Sequence, residues 1–182
     1  MKYVRPNIVI SRCLEFDACR YDGQMINNNY IRLMKDHIDF ITVCPEVEIG
    51  MSIPRDTIHL VEKKGQSMLI QSKTNKDYAP EMVKFSDKYL SKINEIDGFI
   101  LKSRSPSCGI LSTKIYPKTK KNTSPIRKGS GLFASKLKDY FPNHPKEEDS
   151  RLNDIFLREH FLTSIFTIAE FRYVKSFKDL YN

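Results

Sequence analysis

Three short apolar runs each lead to a cysteine, and this repetition limits the fold more than any other feature of the chain. Asn7-Ile-Val-Ile-Ser11 is followed by Arg12 and Cys13, Asp39-Phe-Ile-Thr-Val43 runs directly into Cys44, and Gly98-Phe-Ile-Leu-Lys102 leads through Ser-Arg-Ser-Pro-Ser to Cys108. Each run is rich in β-branched or large apolar residues and is closed by polar ones, the pattern of a buried strand. Helical patterns lie between them. Alternating strands and helices imply a mostly parallel, Rossmann-like α/β sheet flanked by helices. In such sheets ligands bind at the carboxyl ends of the strands. The same topology would bring Cys13, Cys44 and Cys108 to one rim.

The remaining elements fit around these strands. Asn27 to Asp36 carries apolar residues near helical spacing, with an asparagine available as N-cap. Pro45 ends the second strand, and Glu48 to Arg55 reads as a loop. Thr57 to Val61 and Ser67 to Gln71 form a hairpin about Lys64-Gly65. The clearest helical pattern is Ala79 to Ile96, where Met82, Phe85, Tyr89, Leu90, Ile93 and Ile96 recur at three- and four-residue steps. Leu111 to Tyr116 suits a further strand, and Gly131 to Phe141 suits a short amphipathic helix. Residues 1–142 then form the α/β domain, 143–150 a Pro-containing acidic linker, and 151–182 a short helical C-terminal tail. The tail is too short to fold alone, so it packs on the body, pairs with another chain as in a homodimer, or is the remnant of something longer.

The 182-residue chain carries a formal net charge of +8. A basic surface attracts nucleic acids, nucleotides and acidic lipids. The charge is concentrated between Lys114 and Lys128, a Pro-, Ser- and Thr-containing loop with no acid. No apolar run approaches the ~20 residues of a membrane helix. The first residues, Met1-Lys-Tyr-Val-Arg-Pro, lack the apolar centre of a signal peptide. A cytoplasmic location is expected, and in that compartment the four cysteines at 13, 19, 44 and 108 are expected as thiols rather than disulfides.

Three converging thiols suit a zinc ion with an open position or a [4Fe-4S] cluster with one free iron. The histidines, at 37, 59, 144 and 160, are not adjacent to any cysteine. Glu46, two residues beyond Cys44, should face the same cavity, where burial and a metal shift a carboxylate toward proton transfer. Ser105 and Ser107 flank Pro106 and offer hydroxyls to a substrate or a sulfide, although turn chemistry alone favours these residues. Arg104 and Lys102 provide charge to balance thiolates or to bind an anion. Gly109 leaves room for the backbone to approach a bulky group. Cys19, six residues after Cys13 in a loop, is open to three roles, a fourth ligand, a redox-active thiol or a bystander, and is read as a bystander.

Several segments resemble the thiouracil and 4-thiouridine desulfidase family, long catalogued as a domain of unknown function. They are Cys13 with Arg20-Tyr-Asp-Gly23, Cys44-Pro-Glu-Val-Glu-Ile-Gly50, Pro54-Arg55, and Leu101-Lys-Ser-Arg-Ser-Pro-Ser-Cys-Gly109. Their order and spacing are family-like over roughly residues 5 to 142. The resemblance implies a [4Fe-4S] cluster held by Cys13, Cys44 and Cys108. It implies that sulfur on a thiolated pyrimidine is replaced by oxygen and released as hydrosulfide, without net redox change. By motif position Glu46 and Ser105 match the catalytic residues, and Arg104 and Ser107 are expected to bind substrate.

The substrate would be a thiolated pyrimidine base, nucleoside or nucleotide, or the modified base within tRNA. Arg151-Leu-Asn-Asp and Arg158-Glu-His-Phe-Leu162 resemble the opening of a C-terminal domain that some tRNA-acting relatives carry. Glu15-Phe16 departs from the family, whose members usually have a glycine in the turn after the first cysteine. Two other readings remain: a non-catalytic basic module that binds RNA or a protein partner, and a zinc hydrolase built on the same thiols.

Overall fold

The β-branched runs pair side by side. In the computed structural model, which describes residues 3–63, 65–117 and 123–179, β1 (Asn7–Ser11) lies between β2 (Asp39–Val43) and β5 (Gly98–Leu101). All pairings in this sheet are parallel, with Ser11 opposite Val43 and Ile10 opposite Ile100. A fourth strand, β8 (Lys146–Glu148), adds beside β5 and gives the order β2-β1-β5-β8. Side chains alternate between the faces of this sheet, and both faces are covered. Val9, Phe99 and Leu101 enter one core, while Ile8, Ile10 and Ile100 enter the other.

The first face is covered by α3 (Ala79–Leu90) and α4 (Leu132–Tyr140), through Met82, Leu90, Phe133 and Leu137. The second is covered by α1 (Asn29–Met34) and the long α5 (Ile155–Asp179), through Ile31, Met34, Phe161 and Ile165. Asn28 caps α1, accepting from the N–H groups of Tyr30 and Ile31. A second sheet carries the hairpin β3 (Ile58–Lys63) and β4 (Gln66–Gln71), joined by β6 (Thr113–Tyr116) and β7 (Arg127–Gly129) in the order β4-β3-β6-β7. Only β3 and β6 are parallel in it.

Four expectations change. The stretch 143–150, with its prolines and acids, supplies β8 rather than a plain linker, because its backbone completes the edge of β5. The basic stretch from Lys114 to Lys128 is partly β6 and β7, and Lys118, Lys120 and Lys121 lie outside the described residues. Past Cys44 the chain forms a short helix, α2 (Pro45–Glu48), since proline suits the first helical turn, where no N–H is needed. The helix expected to reach Ile96 stops at Leu90. The turn that follows places Glu95 at φ 53°, yet keeps Ile93 and Ile96 against the core.

The tail packs on the body. Ile165 approaches Gly98 so closely that a Cβ there would lie 2.8 Å from its Cγ2. Arg172 donates to both oxygens of Asp97, at 3.0 and 2.9 Å, and Asp97 is fully buried. Among the described residues no helix is long and apolar enough to cross a membrane. Substituting Arg172 by alanine leaves the buried carboxylate with the Asn7 N–H at 2.7 Å but without its paired cation. Urea unfolding should register a loss of about 3 kcal/mol. A change within about 0.5 kcal/mol, as for an ordinary surface substitution, would show that apolar packing alone holds the helix.

Candidate active site at the carboxyl ends of the central strands

The parallel register delivers three chain segments to one rim. Arg12 N–H donates to the Val43 carbonyl at 2.8 Å, and Lys102 N–H donates to the Ser11 hydroxyl at 2.9 Å. These bonds tie the ends of β2, β1 and β5 together just before the residues of interest. Beyond them a cavity of about 330 Å³ is lined by Cys13, Cys44 and Cys108, and also by Cys19. All four cysteines are buried and unbridged. Glu46, Ser105 and Arg104 line the same space.

Each catalytic candidate is held by its neighbours. Glu46, on α2, accepts from Arg55 Nε at 2.9 Å and Nη2 at 2.8 Å through Oε2. Its Oε1 accepts from the Ser107 hydroxyl at 2.9 Å. Arg55 is itself almost wholly buried and also donates to the Cys19 carbonyl at 3.1 Å. Two charge-assisted bonds on one oxygen and the Ser107 hydroxyl on the other together fix the carboxylate's position and plane. Ser105 Oγ accepts from the N–H groups of Ser107 at 3.2 Å and Cys108 at 3.0 Å, which leaves its own proton to donate. Ser107 is fully buried, with its hydroxyl committed to Glu46. Its contact in this structure is therefore with the carboxylate rather than the cavity. Arg104 is exposed at the mouth, with φ 59° and its N–H held by Ser112 Oγ at 2.6 Å.

The segment carrying Ser105 to Cys108 is supported from two sides. The N-terminus of α4 meets it, with Leu132 N–H on the Pro106 carbonyl at 3.0 Å and Ala134 N–H on the Ser107 carbonyl at 3.1 Å. That approach requires glycine at 131, where a Cβ would lie 2.5 Å from the Ser107 oxygen. Gly109 has a different reason from the one expected: a Cβ there would meet Thr113 Oγ1 at 2.3 Å and the Ser105 carbonyl at 3.0 Å. From β8, buried Glu148 accepts at one oxygen from the N–H groups of Ile110, Leu111 and Ser112 and from the Ser112 hydroxyl. Asp149 accepts from Ser103 N–H at 2.6 Å and pairs with Lys102 Nζ at 2.9 Å.

Sequence reasoning did not single out Arg55, Glu148 or Asp149 for these roles. It also set Cys19 aside. Proximity to the first cysteine was the one available signal for Cys19, Arg55 was marked only as part of the Pro54-Arg55 segment, and nothing in spacing marks Glu148 or Asp149. Glu15, where the resemblance leads one to expect a glycine, adopts φ 67°, a conformation that glycine favours. Its carboxylate compensates by binding Arg32 and the Asn28 N–H, which hold its pKa below the ordinary range.

Three thiols, those of Cys19, Cys44 and Cys108, resist ionisation without a metal. Cys19 is pushed up to about 11, chiefly by hydrogen bonding with the Cys13 thiol. Cys44 is raised by the Cys19 thiol and then by burial. Cys108 is raised by burial, against the hydroxyls of Ser11 and Ser105. Among the described residues no three His, Cys, Asp or Glu side chains close around one metal position. Three buried thiols from separate strand ends, with cations nearby, fit the donor set of an iron–sulfur cluster. A second, more open cavity of about 950 Å³ adjoins the first and shares Arg20, Lys102, Ser103 and Arg104 with it.

Residues 8–149 match 2-thiouracil desulfurase. The chain belongs to that family. An uncharacterised Bacillus subtilis (strain 168) protein, YbbK, is 32% identical over 158 residues, 81% of this chain and 99% of its own. The solved structure of TudS, a [4Fe-4S]-dependent thiouracil desulfidase, superposes with a TM-score of 0.62 at 24% identity. It covers 86% of this chain and 99% of its own. That likeness establishes a shared fold: the family's parallel sheet flanked by helices is the architecture seen here.

A raised thiol pKa lowers the thiolate fraction at every pH below it. In metal-free protein, iodoacetamide labelling of Cys19 should therefore still be accelerating at pH 10. Labelling that levels off by pH 9.5, about one unit above an ordinary thiol's pKa, would contradict the thiol–thiol contacts.

Proposed function

We propose that this member of the 2-thiouracil desulfurase family replaces the sulfur of a thiolated pyrimidine by oxygen and releases hydrosulfide. The observation that carries this reading is the meeting of Cys13, Cys44 and Cys108 in one cavity with the clamped carboxylate of Glu46. The net change is thiocarbonyl plus water to carbonyl plus hydrosulfide and a proton, a hydrolysis with no electron transfer.

Cys13, Cys44 and Cys108 would hold a [4Fe-4S] cluster, whose open iron supplies a soft Lewis acid for the substrate sulfur. The protein's own groups do the rest. Glu46 takes a proton from the attacking water, its free electron pairs kept toward the cavity by Arg55 and Ser107. Ser105 keeps its proton and donates a hydrogen bond toward the reacting centre, its oxygen held by two N–H groups that make the hydroxyl a stronger donor. Arg104 at the mouth meets polar groups of the ring or of what the ring is attached to. The adjoining cavity gives room beyond a free base, so a nucleoside, a nucleotide or an RNA terminus is compatible with the same chemistry.

The test is hydrosulfide release by anaerobically reconstituted protein, offered 2-thiouracil, 4-thiouridine and thiolated tRNA in turn. At least one should yield hydrosulfide and the oxygenated pyrimidine in equal amounts. Glu46→Gln should lower kcat by roughly 100-fold or more, the range for loss of a general acid–base group. Iron-loaded protein that leaves every thiolated pyrimidine intact would refute the reading.

A further inference from the structure

Among the described residues Tyr21 supplies the one aromatic ring that lines the cavity of the three strand-end cysteines. Packing does not explain its position. The ring belongs to neither hydrophobic core and is 42% exposed. The turn that carries it is nevertheless firmly held. Gly23, at φ 72°, donates its N–H to the Arg20 carbonyl at 3.0 Å, and Arg20 pairs with Asp22 at 3.1 Å. Asp22 also accepts from Gln24 N–H at 3.2 Å. The Tyr21 carbonyl accepts from Arg55 N–H at 2.8 Å, which joins the turn to the residue whose guanidinium clamps Glu46. The Arg20 guanidinium lies over the Tyr21 ring, 5.2 Å from its centroid, and covers one face. Turn chemistry accounts for the aspartate and the glycine here, and gives no reason for a large ring beside them.

The geometry points to Tyr21 as a substrate-binding residue whose ring stacks on the thiolated pyrimidine. The inference rests on the desulfuration reading above. A pyrimidine has polar edges and two π faces. Sulfur is held at the ring's edge, and water adds to the ring carbon through one face, beside Glu46. The opposite face takes no part in the bond changes and is free to stack on a second ring. Offset stacking of two rings suits their quadrupoles and covers apolar area on both. It also tolerates different ring substituents, because every base has a π face. A contact made alike before and during the reaction is uniform binding, which acts on KM and leaves kcat unchanged. Phenylalanine at 21 keeps the π face; alanine removes it.

Wild-type protein, Tyr21→Ala and Tyr21→Phe are reconstituted anaerobically with iron and sulfide, and their iron content is measured. KM and kcat are then determined on whichever of 2-thiouracil, 4-thiouridine and thiolated tRNA the wild type turns over best. All three proteins should carry equal iron. Tyr21→Ala should raise KM by roughly 5- to 150-fold, the worth of one base–aromatic stack, with kcat little changed. Tyr21→Phe should match the wild type on both constants. A Tyr21→Ala enzyme with unchanged KM, or one that loses kcat and keeps KM, would overturn the proposal. So would a Tyr21→Phe as impaired as Tyr21→Ala, because the hydroxyl rather than the ring would then be the contact. A Tyr21→Ala that takes up less iron would make the ring a support of the metal site and overturn it as well. Iron-loaded wild-type protein that turns over none of the three substrates would remove the underlying reading together with this one.

Discussion

The site depends on β1 being held in parallel register between β2 and β5. Ser11 is the point where the three strand ends are joined, because its backbone faces Val43 and its hydroxyl takes the Lys102 N–H. With the register set there, Cys13, Cys44 and Cys108 emerge side by side although they lie far apart in sequence. A slip of one residue would turn each strand's side chains to the opposite core, and both cores are filled with large apolar groups. The packing that stabilises the sheet is thus the same packing that sets where the thiols meet.

Around that rim the protein uses charge in pairs. Glu46 with Arg55, Lys102 with Asp149 and Arg12 with Glu48 all sit at or beside the cavity. Pairing offsets part of the desolvation cost of partly burying charged groups, and each pair fixes a side chain or a loop at the site. Glu148 does the same for backbone: one carboxylate oxygen gathers the N–H groups that follow Cys108. A thiol site built this way is preorganised by elements on four sides, namely α2, α4, β8 and the loop between β1 and α1.

Much of this was legible in the residues. The three strands, their direction and the convergence of their cysteines followed from apolar runs separated by helical periodicity. Other parts depended on pairings that leave no local trace. β8 is a short polar strand, Lys-Glu-Glu, whose only claim to the sheet is the open edge of β5. The parallel pairing of β3 with β6 joins residues more than fifty positions apart at Leu60 and Ile115 and at Val61 and Tyr116. Arg55 and Cys19 sit in irregular loops, where position follows from tertiary contact and not from spacing. Ser107, expected to meet substrate, donates its hydroxyl to Glu46, a contact that sequence cannot foresee because both roles ask for a hydroxyl near the same carboxylate.

The central claim is that Cys13, Cys44 and Cys108 act as one ligand set. Anaerobic iron and acid-labile sulfide analysis of the reconstituted chain, repeated with each of these cysteines changed to serine, tests it most directly. The account predicts about four irons and four sulfides per chain, the content of a [4Fe-4S] cluster, with a marked loss in each of the three variants. Iron content that is unchanged in any of the three, or a folded wild-type chain that binds none, would contradict it.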